Sequence, residues 1–216
     1  MQIQDSAIDA QEALIQVAGH GEHGVHGDHG DHAHPDLRTM GLITFLLSES
    51  LMFGALFAVY FVMKGRLGQW PPEGTEVELL LPALNTSVLI ASSFVIHKGE
   101  EAIKKDDVAG MQMWYLITAA MGIFFLGGQV YEYTHLSYGL GTNTFSNCFY
   151  LMTGFHGLHV LIGVCMILGV WWRSRQDGHY SSVKHTGIEM AEIYWHFVDV
   201  IWIIMFSLIY VLTKLP

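Results

Sequence analysis

Five apolar stretches dominate this chain and leave it few ways to fold. They run at about 39–63, 79–97, 111–134, 147–172 and 189–212. Each is long enough to cross the roughly 30 Å of hydrocarbon in a bilayer. Inside lipid no water is available to satisfy backbone N–H and C=O groups, so each stretch must form a helix. The fold class expected is therefore all-α: an integral membrane bundle of five transmembrane helices over 38–216. Charged residues make up 14% of the chain, against about 25% in soluble domains, and mean hydropathy is +0.35. Both agree with a membrane chain.

Residues 1–37 differ. They hold seven of the twenty acids and the run GHGEHGVHGDHGDHAH, with His20, His23, His26, His29 and His32 at a period of three and His34 behind them. Large apolar side chains are scarce there, so a disordered cytoplasmic tail with weak, adventitious metal affinity is expected. Without those acids the net charge of -10 largely disappears, and no nucleic-acid surface is expected. No basic n-region precedes an apolar h-region, so no cleavable signal peptide is expected. Cys148 and Cys165 share one apolar stretch. Seventeen residues of helix separate them by about 25 Å, far beyond disulfide reach.

Lys and Arg are unevenly shared between the two sides. Arg38, Lys98, Lys104, Lys105, Arg173, Arg175 and Lys184 fall on one side, and Lys64, Arg66 and Lys214 on the other. The positive-inside rule places the N-terminus in the cytoplasm. Trp70, Trp114, Trp171 and Trp172 lie near stretch ends, where interfacial belts form.

A few polar residues inside the stretches need partners. Glu49 lies near the middle of the first. An acid there costs roughly 2.5–3.5 kcal/mol on insertion scales, and burial favours its neutral form. A proton-linked group and a structural acid bonded to a neighbouring helix are equally weighted alternatives. His156 and His159 lie at i, i+3 on the fourth stretch, with Gly163 on the same face. Interhelical hydrogen bonds outweigh a metal or haem site, because no second buried histidine pair completes one. On the fifth stretch His196 and Asp199 are spaced to pair, and Trp195, Asp199 and Trp202 form one stripe. A structural lock is favoured over a contact to a partner subunit or lipid. Gly128, Glu132 and His135 share a face of the third stretch, where tight helix packing is expected. No Walker-type loop, nucleophile elbow, CxxC or HExxH motif occurs.

Four of these segments together carry a resemblance. LLSESLMFGALFAVYF around Ser48-Glu49, LLPALNTSVLIAS at 80–92, TGFHGLHVLIG at 153–163 and EIYWHFVDVIWI at 192–203 closely resemble the cytochrome c oxidase subunit III family. The likeness runs from about residue 38 to the C-terminus, with the motifs in order. It implies a non-catalytic core subunit of a proton-pumping respiratory oxidase. Such a chain has no redox centre of its own. Haem and copper belong to partner subunits, with subunit I as main contact and subunit II as another. It implies support of subunit I stability and of proton uptake, structural phospholipid, and a bacterial energy-transducing membrane, plasma or thylakoid. Glu49 matches the family's buried, carbodiimide-reactive carboxylate. Many members carry two further helices before the Glu-bearing one, and here the His-rich tail takes that place. The alternatives are the equivalent subunit of a haem–copper quinol oxidase and, from another class, an independent transporter or haem-binding carrier.

Overall fold

A computed structural model describes residues 37–75, 77–176 and 178–214. The tail histidines lie outside the described residues. Five helices long and apolar enough to cross a membrane are present among the described residues. They are α1 (Leu37–Arg66), α2 (Leu80–Lys104), α3 (Val108–His135), α4 (Thr144–Arg173) and α5 (Thr186–Phe206), the last extended by a π-helical turn at Ser207–Val211.

The helices outrun the apolar stretches that announced them. Residues 98–110 read as a charged loop, but α2 continues to Lys104 and α3 starts at Val108. Beyond the hydrocarbon a helix is no longer compulsory, so side chains decide. Glu100 and Lys104 pair one turn apart at 2.9 Å, which favours helix. The chain then reverses through Asp106, whose φ of 57° is left-handed, a region that Asp tolerates better than most residues. The Asp107 carboxylate accepts from the Gly110 amide at 2.8 Å and starts α3. Asn143 and Ser146 form a reciprocal capping box that starts α4. Pro82 sits in the first turn of α2, where its missing N–H is not needed.

Helices α2 to α5 form a closed ring: α2 packs on α3, α3 on α4, α4 on α5, and α5 returns to α2. Trp195 of α5 fills its centre and is fully buried. It fits because Gly122 of α3 and Gly163 of α4 face it. A Cβ at either glycine would come within 2.6 Å and 2.8 Å of the indole, respectively. Small residues at such positions let membrane helices approach closely.

Helix α1 is different. Its backbone stands off from the other four helices, and large side chains bridge the gap. Phe45 stacks on Tyr194 of α5, and Phe53 meets Phe155 and His159 of α4. At the far end the Tyr60 hydroxyl donates to the Leu208 carbonyl at 3.0 Å. The loop after α1 folds back, with Trp70 edge-on to Tyr60 and Phe145.

Candidate functional site

Ser48, Glu49 and Ser50 stand together on α1, but only Glu49 reaches another helix. The hydroxyls of Ser48 and Ser50 turn back to their own backbone carbonyls, of Phe45 and Leu46. The Glu49 carboxyl instead meets His159 of α4, with Oε2 and Nε2 3.0 Å apart. Both side chains are largely buried, at 12% and 6% exposure. Phe53 and Phe155 wall the pair. The other ring nitrogen of His159 lies 2.8 Å from the Phe155 carbonyl. A carbonyl only accepts, so Nδ1 carries a proton. The Glu49–His159 contact then holds one further proton between two groups. The pair is neutral when that proton rests on Glu49 and ionic when it rests on His159. The Tyr194 hydroxyl donates to the His159 carbonyl at 3.2 Å, which ties the pair to α5 as well.

His156 does not repeat the pattern of His159. It is fully buried, stacked on Trp202 at 4.7 Å and edge-on to Phe125. Neither of its ring nitrogens has a hydrogen-bond partner. The interhelical hydrogen bond expected of it is therefore absent among the described residues. Three residues of helix rotate a side chain by about 300°, so the two histidines diverge by about 60°. One points into the ring and the other toward α1.

The α5 stripe lies against α2 as a polar ladder. Trp195 Nε1 donates to Ser92 Oγ and Trp202 Nε1 to Thr86 Oγ1, each at 2.9 Å. Ser93 donates to Asp199, and His196 Nδ1 lies 3.2 Å from the same Ser93 hydroxyl. His196 and Asp199, spaced to pair, meet through Ser93 of α2, which stands between them. The other Asp199 oxygen, Oδ1, has no hydrogen-bond partner among the described residues.

Glu132 of α3 is buried, and both its oxygens accept from the Tyr210 hydroxyl at 3.0 and 3.2 Å. Gly128, one turn earlier, is pressed on Asn85, whose amide would come within 2.0 Å of an added Cβ. His135 departs from that face. It stays exposed and stacks on Tyr131 at 4.0 Å. Glu78, Pro82, Tyr131, Glu132 and His135 line a cleft of about 380 Å³ at this end.

Three residues escaped the sequence reading. His97 and Glu100 of α2 and Glu192 of α5 converge at the end of the bundle that carries the 105–107 connection. Their signal was positional. An antiparallel pair of helices brings the end of one stretch to the start of the other, and each of these ends carries an acid.

Five apolar spans fastened by buried polar pairs make this a multi-pass, all-helical membrane protein. The family described as cytochrome c oxidase subunit III matches residues 17–214. A cytochrome c oxidase subunit 3 of Thermostichus vulcanus is 70% identical over 181 residues, covering 84% of this chain and 90% of its own. One from Synechocystis sp. is 59% identical, covering 83% and 77%. A probable cytochrome c oxidase subunit 3 of Nocardia farcinica is 41% identical, covering 82% and 88%. The chain belongs to the cytochrome c oxidase subunit III family, and so is one subunit of an oxidoreductase complex.

Proposed function

We propose that this chain is the non-catalytic subunit III of a proton-pumping cytochrome c oxidase. In that role it binds mainly subunit I, which carries haem and copper, and also subunit II. It stabilises subunit I and sustains proton uptake. Its setting is a bacterial energy-transducing membrane, plasma or thylakoid, with the N-terminus in the cytoplasm. Structural phospholipid against its apolar surface belongs to the same proposal. The observation that carries the reading is the Glu49–His159 pair: a largely buried carboxyl–imidazole contact between two helices of membrane-spanning length, in a chain of this family.

The geometry also weighs against a haem carrier. His159 uses both ring nitrogens in hydrogen bonds, and His156 is covered by Trp202. The names of the similar proteins favour cytochrome c over quinol as electron donor.

The test is purification of the complex through this chain, with a subunit census and an optical spectrum. Haem should follow subunit I, and subunit II should carry a copper-binding motif. A stoichiometric Soret band on the isolated chain would overturn the proposal. In the complex, Glu49→Gln should assemble and keep most oxygen consumption, because its amide still donates to His159 Nε2. Asp199→Ala should weaken association with subunit I more than it slows turnover.

A further inference from the structure

The cluster at the 105–107 end has a hydrogen-bonding problem. Ser93 has one hydroxyl proton and gives it to Asp199. His196 Nδ1, 3.2 Å from the Ser93 oxygen, must therefore be the donor in that contact. In a neutral ring this leaves Nε2 as a bare acceptor. Nε2 is turned to Glu192 Oε1, another acceptor, 3.4 Å away. Two acceptors facing each other need a positive charge between them.

The same carboxylate oxygen lies 2.9 Å from His97 Nδ1, and His97 Nδ1 lies 3.5 Å from Glu100 Oε2. His97, Glu100 and Glu192 thus bring one nitrogen and two carboxylate oxygens from facing helices within 4.8 Å of one another, and His196 Nε2 lies against Glu192 beside them. His97 and Glu100 are i, i+3 on α2, and Glu192 and His196 are i, i+4 on α5. Ligand pairs at this spacing on facing helices are how helical bundles build metal sites. Zinc bonds of about 2.0–2.2 Å put neighbouring ligand atoms of a tetrahedral site about 3.4 Å apart. His97 Nδ1 lies 2.9 Å from Glu192 Oε1 and 3.5 Å from Glu100 Oε2, on either side of that value. Both carboxylates are largely buried, at 12% and 8% exposure, and Lys104 offers only one compensating charge, to Glu100. The cleft beside them, about 350 Å³, is lined by His97, Glu100, Glu189, Glu192 and His196.

We propose that His97, Glu100 and Glu192 form a binding site for a first-row divalent cation, with Zn²⁺ as the fitting ion and His196, turned to Glu192, as the side chain that closes its fourth position. The donor set of imidazole and carboxylate suits such an ion. The Asp199–Ser93–His196 chain is its supporting shell and fixes the tautomer that aims Nε2 inward. With all four ligands from protein the site is structural. It staples α2 to α5 where the polar ladder reaches the membrane surface. The rival is a pair of protonated histidines in the same geometry, with no metal.

The experiment uses the purified oxidase complex with the full chain, in which His20, His23, His26, His29, His32 and His34 are replaced by alanine to silence the tail. The complex is stripped with a chelator and titrated with Zn²⁺. Bound zinc is counted against haem, and its ligands are read by X-ray absorption at the zinc edge. One zinc per chain with imidazole and carboxylate ligands is expected. Glu192→Gln should weaken binding about tenfold or more, and Ser93→Ala, which only orients His196, by about 10–100-fold. Lys104→Gln should tighten binding, since it frees Glu100. Exposed Glu73→Gln, in the loop after α1, should leave it unchanged. Equal zinc uptake with and without Glu192→Gln, or a zinc spectrum lacking imidazole, overturns the site. If Glu192→Gln fails to assemble, unchanged or weaker binding in Lys104→Gln overturns it alone.

Discussion

Helix α1 and the α2–α5 ring are both apolar but are held by different means. The most apolar window of α1 is 17% buried within the chain, and that of α5 is 50% buried. In the ring, backbones approach over glycine and the contact is continuous. Helix α1 touches the ring at separate points: Phe45, Glu49, Phe53 and Tyr60. In lipid, apolar surface alone gives no reason for helices to associate. A helix that packs less closely relies more on such polar contacts, and Glu49, near the middle of its span, supplies one to α1.

The comparison breaks most severely at Trp195. Trp195→Ala empties the ring centre and removes the donor to the Ser92 oxygen, and should cost about 3–5 kcal/mol. Unfolding of the purified complex in graded denaturant would measure it, with the ring lost as a unit. Glu49→Leu should cost less, about 1–3 kcal/mol for the unpartnered His159 nitrogen, and release α1 alone. Cross-linking yield between cysteines placed on α1 and α4 reads that release. If Glu49→Leu unfolds the ring as readily as Trp195→Ala, the distinction between the two regions is wrong. Tyr60→Phe removes one hydroxyl at the far end of α1 and should cost about 1 kcal/mol, with cross-linking lowered only near residue 60.

The smallest effect lies outside the membrane. The Asp106 carboxylate accepts from the Ser182 amide at 2.7 Å and from its hydroxyl at 2.9 Å. These bonds, the amide first, hold its pKa below the ordinary Asp value. A depressed folded pKa means the contact contributes fully above the unfolded Asp range and is lost as pH falls through the lower folded value. The protection factor of the Ser182 amide, its exchange measured against the intrinsic rate at the same pH, should therefore fall in acid. Asp106→Asn tolerates the same left-handed backbone and should remove that pH dependence.

Much of this was legible in the sequence, for physical reasons. A bilayer dictates helix wherever about twenty apolar residues run together, so five spans followed directly from hydropathy. It also makes every intramembrane polar residue conspicuous, so Glu49, His156, His159, His196 and Asp199 stood out. Their partners did not. Glu49 and His159 are 110 residues apart, and nothing local joins them. Ser93 was invisible as the bridge between His196 and Asp199 because spacing shows which residues share a face, not what the facing helix inserts. His97, Glu100 and Glu192 were passed over because charged residues at stretch ends look like ordinary boundary markers.

The π-helical turn at the end of α5 has a consequence for how this molecule tolerates change in length. Its Leu212 amide bonds to the Ser207 carbonyl, five residues back, at 2.9 Å. A turn of this kind holds one residue more than a regular one. Within it, Tyr210 reaches Glu132 of the ring while the Leu208 carbonyl receives Tyr60 of α1. Deleting Ser207 would restore a regular helix and move Leu208 and Tyr210 back by one position each, roughly 100° about the axis. Both fastenings would then miss, although Tyr60, Glu132 and Tyr210 all remain in the sequence. At this end the outlying helix and the ring are joined by chain register, and a change in count would undo what substitutions there only weaken.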